Sequence, residues 1–253
     1  MAAKPRHVLV TGGSRGIGLA IAQLFAKNSY RCTLISRSEQ DLKTAVASLH
    51  PLPSQPPSAS KDETASSSSK PDVSEPENPT ISTQHQHGYV AGDLSHGTKF
   101  WHADQPFRTQ FPRPDRNNPA THSSQIDVLV NCAGLTQAKL FNTLDDNAME
   151  NIIDTNLNAL MQGTKSLLRY RYLRSLEKEQ DDFSPVIINV ASLLGLQGGY
   201  GAVAYAASKA GVLGFTRALA TEYASHKVRV NAVVPGYVDT DMTKGMLQDY
   251  LLS

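Results

Sequence analysis

Short apolar runs alternate along the chain with longer stretches in which large apolar residues recur every three or four positions. His7–Thr11, Arg31–Ser36, Gly88–Ala91, Ile126–Asn131, Val186–Val190 and Val228–Val234 have the length and aliphatic character of strands. Between them, Ile17, Ile21 and Leu24 share one face of a first helix, and Glu39–Leu49 predicts a second. Met149, Ile152, Ile153, Leu160 and Leu167 line one long helical pattern, and Val212, Phe215, Leu219 and Tyr223 line another. Strands alternating with helices predict an α/β protein, a doubly wound parallel sheet covered on both faces, as a single domain over 1–253.

Two stretches break the rhythm. Pro51–Gln86 holds seven prolines and nine serines, with Leu52, Val73 and Ile81 almost its only large apolar residues. It cannot bury enough surface to offset its ordering entropy, so a disordered surface insertion is expected over 51–86. Ser95–Ser124 has four prolines, a lone Trp101 and several histidines, and is expected to be irregular apart from one short helix near Phe100–Arg108. His85, His87, His96 and His102 fall in or beside these polar stretches without matching Cys or carboxylate spacing, so no metal is expected.

With 253 residues, the chain is long enough to bury a core without disulfides or metals. A net charge of +1 provides no global field for nucleic acid or membrane, and Arg169, Arg171 and Arg174 read as a solvated helix end. Cys32 and Cys132 lie in apolar, strand-like runs as small hydrophobes, which fits a reducing compartment. No stretch reaches the roughly 18 apolar residues of a spanning helix. The first strand begins near His7, leaving no room for a cleaved signal or long transit peptide. A cytoplasmic protein is expected, with the mitochondrial matrix as the alternative.

The chemistry begins at the first strand–helix junction, Thr11-Gly12-Gly13-Ser14-Arg15-Gly16-Ile17-Gly18. Glycines there permit a tight turn and close backbone approach to a pyrophosphate, which the following helix N-terminus attracts. The second strand ends Ile35-Ser36-Arg37, without the acid that an NAD site places about 20 residues past the glycines. A hydroxyl followed by arginine, with Arg15 nearby, suits the 2′-phosphate of NADP(H).

Tyr205-Ala-Ala-Ser-Lys209 places a phenol and an ammonium on one helix face. At ~4 Å and an effective dielectric near 20, the lysine would acidify the phenol by roughly three pKa units, enough for acid–base chemistry. Tyr223 and Lys227 repeat the spacing. However, Tyr223 continues the Leu219 stripe, whereas Tyr205 follows Ser192 and a strand end, where α/β sheets gather catalytic groups. Asn156 falls on the Met149–Leu160 stripe, so it should face inward, either as a working amide or as a satisfied core residue.

From Val8 to Thr243, around the insertion, the chain resembles the short-chain dehydrogenase/reductase family. Within it, the 3-oxoacyl-(acyl carrier protein) reductase and carbonyl reductase branch is the nearest likeness. The matching pieces are Thr11–Gly18, Asp93-Leu94, Asn131-Cys132-Ala133-Gly134, Asn156, Ser192, Tyr205 with Lys209, and Pro235–Thr243. The resemblance implies a Rossmann-type fold and a set of roles. Asp93, with Leu94, would contact the adenine, and Asn131, Ala133 and Gly134 would let the cofactor lie along the fourth strand. Ser192 would hold the substrate oxygen, Tyr205 would donate the proton, and Lys209 would hold the nicotinamide ribose. Asn156 would hold a relay water. Pro235, Gly236, Val238 and Thr240 would lie along the nicotinamide. Cys132 replaces the family's second asparagine.

Relatives continue about thirty residues further, so a chain ending at Ser253 is expected to lack the last strand and, with it, the edge that helps build the family's oligomers. Three readings of function follow: an NADPH-dependent 3-oxoacyl-thioester reductase acting on small-molecule or carrier-bound substrate; a broader carbonyl, quinone or secondary-metabolite ketoreductase; and a catalytically silent NADPH-binding protein.

Overall fold

The computed structural model describes residues 5–52, 86–102, 105–115, 124–137, 139–173 and 183–244. Among them, β1 (His7–Thr11), β2 (Arg31–Ser36), β3 (Gly88–Ala91), β4 (Val128–Asn131), β5 (Val186–Val190) and β6 (Arg229–Val233) form one sheet. Their order is β3-β2-β1-β4-β5-β6, with every pair parallel. The winding reverses between β1 and β4, which opens a crevice at the C-terminal ends of those two strands.

Both faces of the central strands are buried, as the expected architecture requires, whereas β6 exposes Arg229, Asn231 and Val233. Val8, Val10, Cys32, Leu34, Val128 and Val130 pack against Ala22 and Ala26 of α1 (Gly16–Lys27) and Leu42 and Ala45 of α2 (Glu39–Ala47). The alternate residues Leu9, Ile35, Leu129 and Ile187 face the other way, toward a cluster that includes aromatic rings and two long helices. Each fully buried Val or Leu there stabilises the fold by ~1.5–3 kcal/mol.

Part of that second layer comes from the stretch that polarity marks as irregular. A 3-10 helix covers Leu94–Trp101, and α3 covers Pro106–Gln110. Phe100, Trp101, Phe107 and Phe111 are at most 5% exposed, and the Trp101 and Phe107 rings meet edge-on at 4.8 Å. Four aromatic anchors suffice to pin a polar segment, because each buries a large apolar area. Gly163 makes room for them: a Cβ there would lie 2.9 Å from Trp101 Cζ2.

Of the expected insertion, 53–85 lies outside the described residues. Its two flanks are adjacent, since His87 Nε2 donates to His50 O at 2.8 Å and His87 Nδ1 accepts from Cys32 N at 3.1 Å. These bonds hold the start of β3 beside the end of α2, where β3 pairs with β2.

The helical pattern through Met149–Leu167 is not one regular helix. It comprises α4 (Asp146–Ile153), a π-helical turn over Asp154–Asn158 and α5 (Ala159–Arg169). After β5 come the short α6 (Leu194–Gln197) and the 21-residue α7 (Val203–Tyr223). Lys227 lies beyond the end of α7 with a left-handed backbone (φ 54), so it shares no helix face with Tyr223. Arg174 of the basic trio lies outside the described residues. Among the described residues, no helix is long and apolar enough to cross a membrane.

Candidate active site

The turn after β1 closes directly onto the end of β4. Gly12 has φ 69, and a Cβ there would fall 2.7 Å from Ala133 Cα, so only glycine fits. Thr11 Oγ1 accepts from Cys132 N at 3.1 Å and Ala133 N at 3.3 Å, stitching the two strand ends together. The N-cap position of α1 is Arg15, which makes no side-chain capping bond, and no acid stands in the first turn. The helix start at Gly16, Ile17 and Gly18 therefore presents N–H groups and a positive dipole end at the crevice, the environment a pyrophosphate needs. Thr240 folds over this turn, its methyl 3.6 Å from the Cβ position of Gly16. Thr243 Oγ1 accepts from Thr240 N at 3.1 Å, and Leu193 N donates to Pro235 O at 2.9 Å. The Pro235–Thr240 segment, including the exposed Gly236 and Val238, thus joins the glycine turn to the Ser192 turn.

At the tip of β2, Ser14 Oγ donates to Ser36 Oγ at 3.0 Å, and Arg37 is exposed beside them. Asp93 Oδ1 accepts from Ser95 N at 2.9 Å and Ser95 Oγ at 2.8 Å. Partial burial pushes its carboxyl up, but those two bonds, with His96 and Arg37 nearby, outweigh burial and hold it below the ordinary value. Leu94 is buried at the start of the 3-10 helix.

The other end of the crevice collects the titratable groups. Ser192 follows β5 by two residues, and its hydroxyl lies near enough to the Tyr205 phenol to favour the phenolate. Lys209, 5% exposed, donates from Nζ to Val190 O at 2.8 Å and stands 5.8 Å from the Tyr205 ring centroid. The geometry corrects the expected electrostatics. Burial raises the phenol above its ordinary value, opposed by the nearby Ser192 hydroxyl, while burial lowers Lys209 to about 8. The expectation from spacing counted the attraction of the pair and left out desolvation of each partner, which dominates here. Cys132 lies close enough to influence both groups, and burial pushes its own thiol up to about 11.

Asn156, 1% exposed, sits in the π-helical turn with its amide fully engaged. Oδ1 accepts from Leu135 N at 2.7 Å, and Nδ2 donates to Leu135 O at 2.9 Å and Ser208 Oγ at 3.0 Å. A Cβ on Gly134 would lie 3.2 Å from Asn156 Oδ1 and 3.6 Å from Lys209 Nζ, so these three residues converge. Asn131 points inward and donates to Thr164 Oγ1 at 3.1 Å and Asn189 Oδ1 at 2.9 Å, tying β4 to β5 beneath the crevice. The sequence reading missed Asn189, which is hidden in an apolar strand, and Gln137, a loop residue that bonds the start of α7.

The family model for the short chain dehydrogenase matches residues 6–70 and 117–251. The chain belongs to the short chain dehydrogenase family. It is therefore an oxidoreductase acting on CH–OH and C=O groups. Among its family relatives, a 3-oxoacyl-[acyl-carrier-protein] reductase of Chlamydia muridarum is 33% identical over 95% of this chain and 77% of its own. The human protein of that name is 31% identical over 96% of this chain and 79% of its own. A putative ketoacyl reductase of the monensin polyketide synthase from Streptomyces virginiae is 33% identical over 97% of this chain and 75% of its own. Among solved structures, a variant of actinorhodin polyketide ketoreductase with NADPH aligns at TM-score 0.70 and 26% identity, covering 99% of this chain and 77% of that one.

Proposed function

We propose that this short chain dehydrogenase uses NADPH to reduce the keto group of a 3-oxoacyl thioester, free or on an acyl carrier protein, with Tyr205 giving the proton. The observation that carries the reading is the meeting of Ser192, Tyr205 and the buried Lys209 beyond the end of β5. The named relatives support the substrate class.

The residues present fit a phosphorylated dinucleotide. The uncapped start of α1, with Gly12, Ser14, Gly16, Ile17 and Gly18, would hold the pyrophosphate, and Arg15 would reach toward the 2′-phosphate. Ser36 and Arg37 would hold the 2′-phosphate, Asp93 and Leu94 the adenine, and Pro235, Gly236, Val238 and Thr240 the nicotinamide end. When bound, NADPH supplies the hydride. Ser192 orients the substrate oxygen, and Tyr205 Oη gives that oxygen its proton, which leaves a phenolate. A phenol raised by burial stays protonated at neutral pH, the state that reduction requires. Lys209, with its pKa near 8, is mostly charged at neutral pH and stabilises the phenolate until solvent reprotonates it.

A second reading is a ketoreductase of polyketide-type substrates, supported by the monensin and actinorhodin relatives. NADPH oxidation by the purified protein, followed by absorbance over a panel of acetoacetyl thioesters, poly-β-keto thioesters, quinones and simple ketones, separates the readings. Thioester turnover is expected, and turnover confined to quinones would overturn the proposal. No turnover, with NADPH still stabilising the fold, would leave binding without catalysis; at about 100-fold its Kd, the ligand adds about 2.7 kcal/mol.

The cofactor assignment has its own test. Arg37→Asp removes charge-assisted bonds worth ~1.5–3 kcal/mol, so NADPH should bind roughly 10–100-fold more weakly while NADH improves. Unchanged Kd values for both would remove Arg37 from the site.

A further inference from the structure

We infer that Gln137 is a positioning residue for proton transfer, capping from a separate loop the helix that carries Tyr205. α7 starts without a cap of its own, since its N-cap residue is Ala202. A helix start leaves backbone N–H groups without intrahelical partners, and a Ser, Thr, Asp or Asn side chain at the N-cap usually accepts from one of them. Here Gln137 Oε1 takes that place, accepting from Ala204 N at 2.8 Å and, more loosely, from Tyr205 N at 3.4 Å.

The side chain is built in place rather than resting there. Gln137 is 3% exposed, and its Nε2 donates to Lys139 O at 2.8 Å. The helix start offers only donors and the Lys139 carbonyl only accepts, so both ends of the amide are specified. Lys139 is itself paired with Asp145, at the start of α4, at 2.8 Å. Two residues before Gln137, the backbone of Leu135 is gripped at both its N–H and C=O by Asn156. Asn156 also bonds Ser208, whose hydroxyl donates to Tyr205 O at 2.7 Å. The loop and the π-helical turn that braces it therefore both meet the Tyr205 backbone: Gln137 at its N–H, and Asn156, through Ser208, at its C=O. The phenol lies at the end of a long side chain, so a small shift of this first turn moves its hydroxyl away from Ser192. An amide also caps without charge, whereas a carboxylate in its place would oppose the phenolate that reduction leaves.

This inference rests on Tyr205 being the proton donor. Gln137→Met removes the acceptor at nearly constant volume, and Gln137→Glu restores it with a charge. Gln137→Met should lower kcat by about 10–100-fold with the KM for NADPH within about threefold of the parent, because misplacement penalises the chemical step. Gln137→Glu should recover most of kcat and move the alkaline limb of the pH–rate profile upward. Gln137→Met with parental kcat, or equal losses in both variants with an unmoved pH limb, would overturn the inference. If Gln137→Met is insoluble, Gln137→Glu decides alone: a raised pH limb supports the role and an unmoved one refutes it. Activity retained by Tyr205→Phe would instead defeat the underlying reading. Loss in Tyr205→Phe beside a parental Gln137→Met profile would defeat only this one.

Discussion

Tyr205→Phe is expected to lower kcat for carbonyl reduction by about 10²–10⁴-fold, the range that a positioned general acid supplies. The substitution removes one oxygen and keeps the ring that packs at the start of α7. Ser192 Oγ retains its bond from Leu194 N at 3.2 Å, so the turn after β5 keeps its shape. Stability should change by no more than about 1 kcal/mol, since the lost hydroxyl takes no backbone partner with it and the nearby Ser192 hydroxyl is free to turn elsewhere. NADPH should still raise the melting temperature, because the phosphate turn and the β2 tip are untouched. Steady-state kinetics and thermal melts together check this: near-parental turnover would remove Tyr205 from the chemistry.

Lys209→Met should pull activity and stability in opposite directions. Lys209 is buried, and its pKa falls from 10.5 to about 8, mainly by desolvation. The unfolded chain thus holds this proton more tightly than the folded one. Between about pH 8 and 10.5 the folded state gains stability as pH rises, and below about pH 8 it bears the full penalty. A shift of that size corresponds to about 3 kcal/mol at neutral pH. Losing the charge-assisted bond to Val190 O takes back ~1.5–3 kcal/mol, so methionine should stabilise the neutral protein by up to about 1.5 kcal/mol. Melting curves would show a rise of a few degrees at neutral pH that disappears above about pH 10. Reduction should fall by about 10²-fold or more, because the phenolate left by proton transfer loses its nearby cation. A lower melting temperature at neutral pH would show that the ammonium is not penalised by its burial.

The strands were legible because each is a short aliphatic run between a helix end and a turn. His7–Thr11, Arg31–Ser36, Gly88–Ala91 and Val186–Val190 have the boundaries expected from sequence. The parallel order followed from their alternation with amphipathic helices. The features that sequence left hidden all depend on partners far along the chain. In the Asp154–Asn158 turn Asn156 keeps the helical spacing of the apolar stripe on either side, so nothing local separates a π turn from an α-helix. Phe100, Trp101, Phe107 and Phe111 are diluted by polar neighbours, and only their burial against Gly163 and the sheet shows them to be core. Gln137 gives no signal from its own neighbourhood; the one hint is the alanine where α7 needs a cap. The Tyr205–Lys209 spacing placed both groups on one face, but their proton affinities depend on burial, which spacing does not contain.

The central claim is that Tyr205 hands its proton to the carbonyl oxygen as hydride reaches the carbon. Single-turnover reduction, run with NADPH deuterated at the transferred position and then repeated in heavy water, measures this step directly. Both substitutions should slow the same step, with the hydride effect persisting in heavy water. A hydride-transfer rate indifferent to heavy water would contradict proton donation in that step.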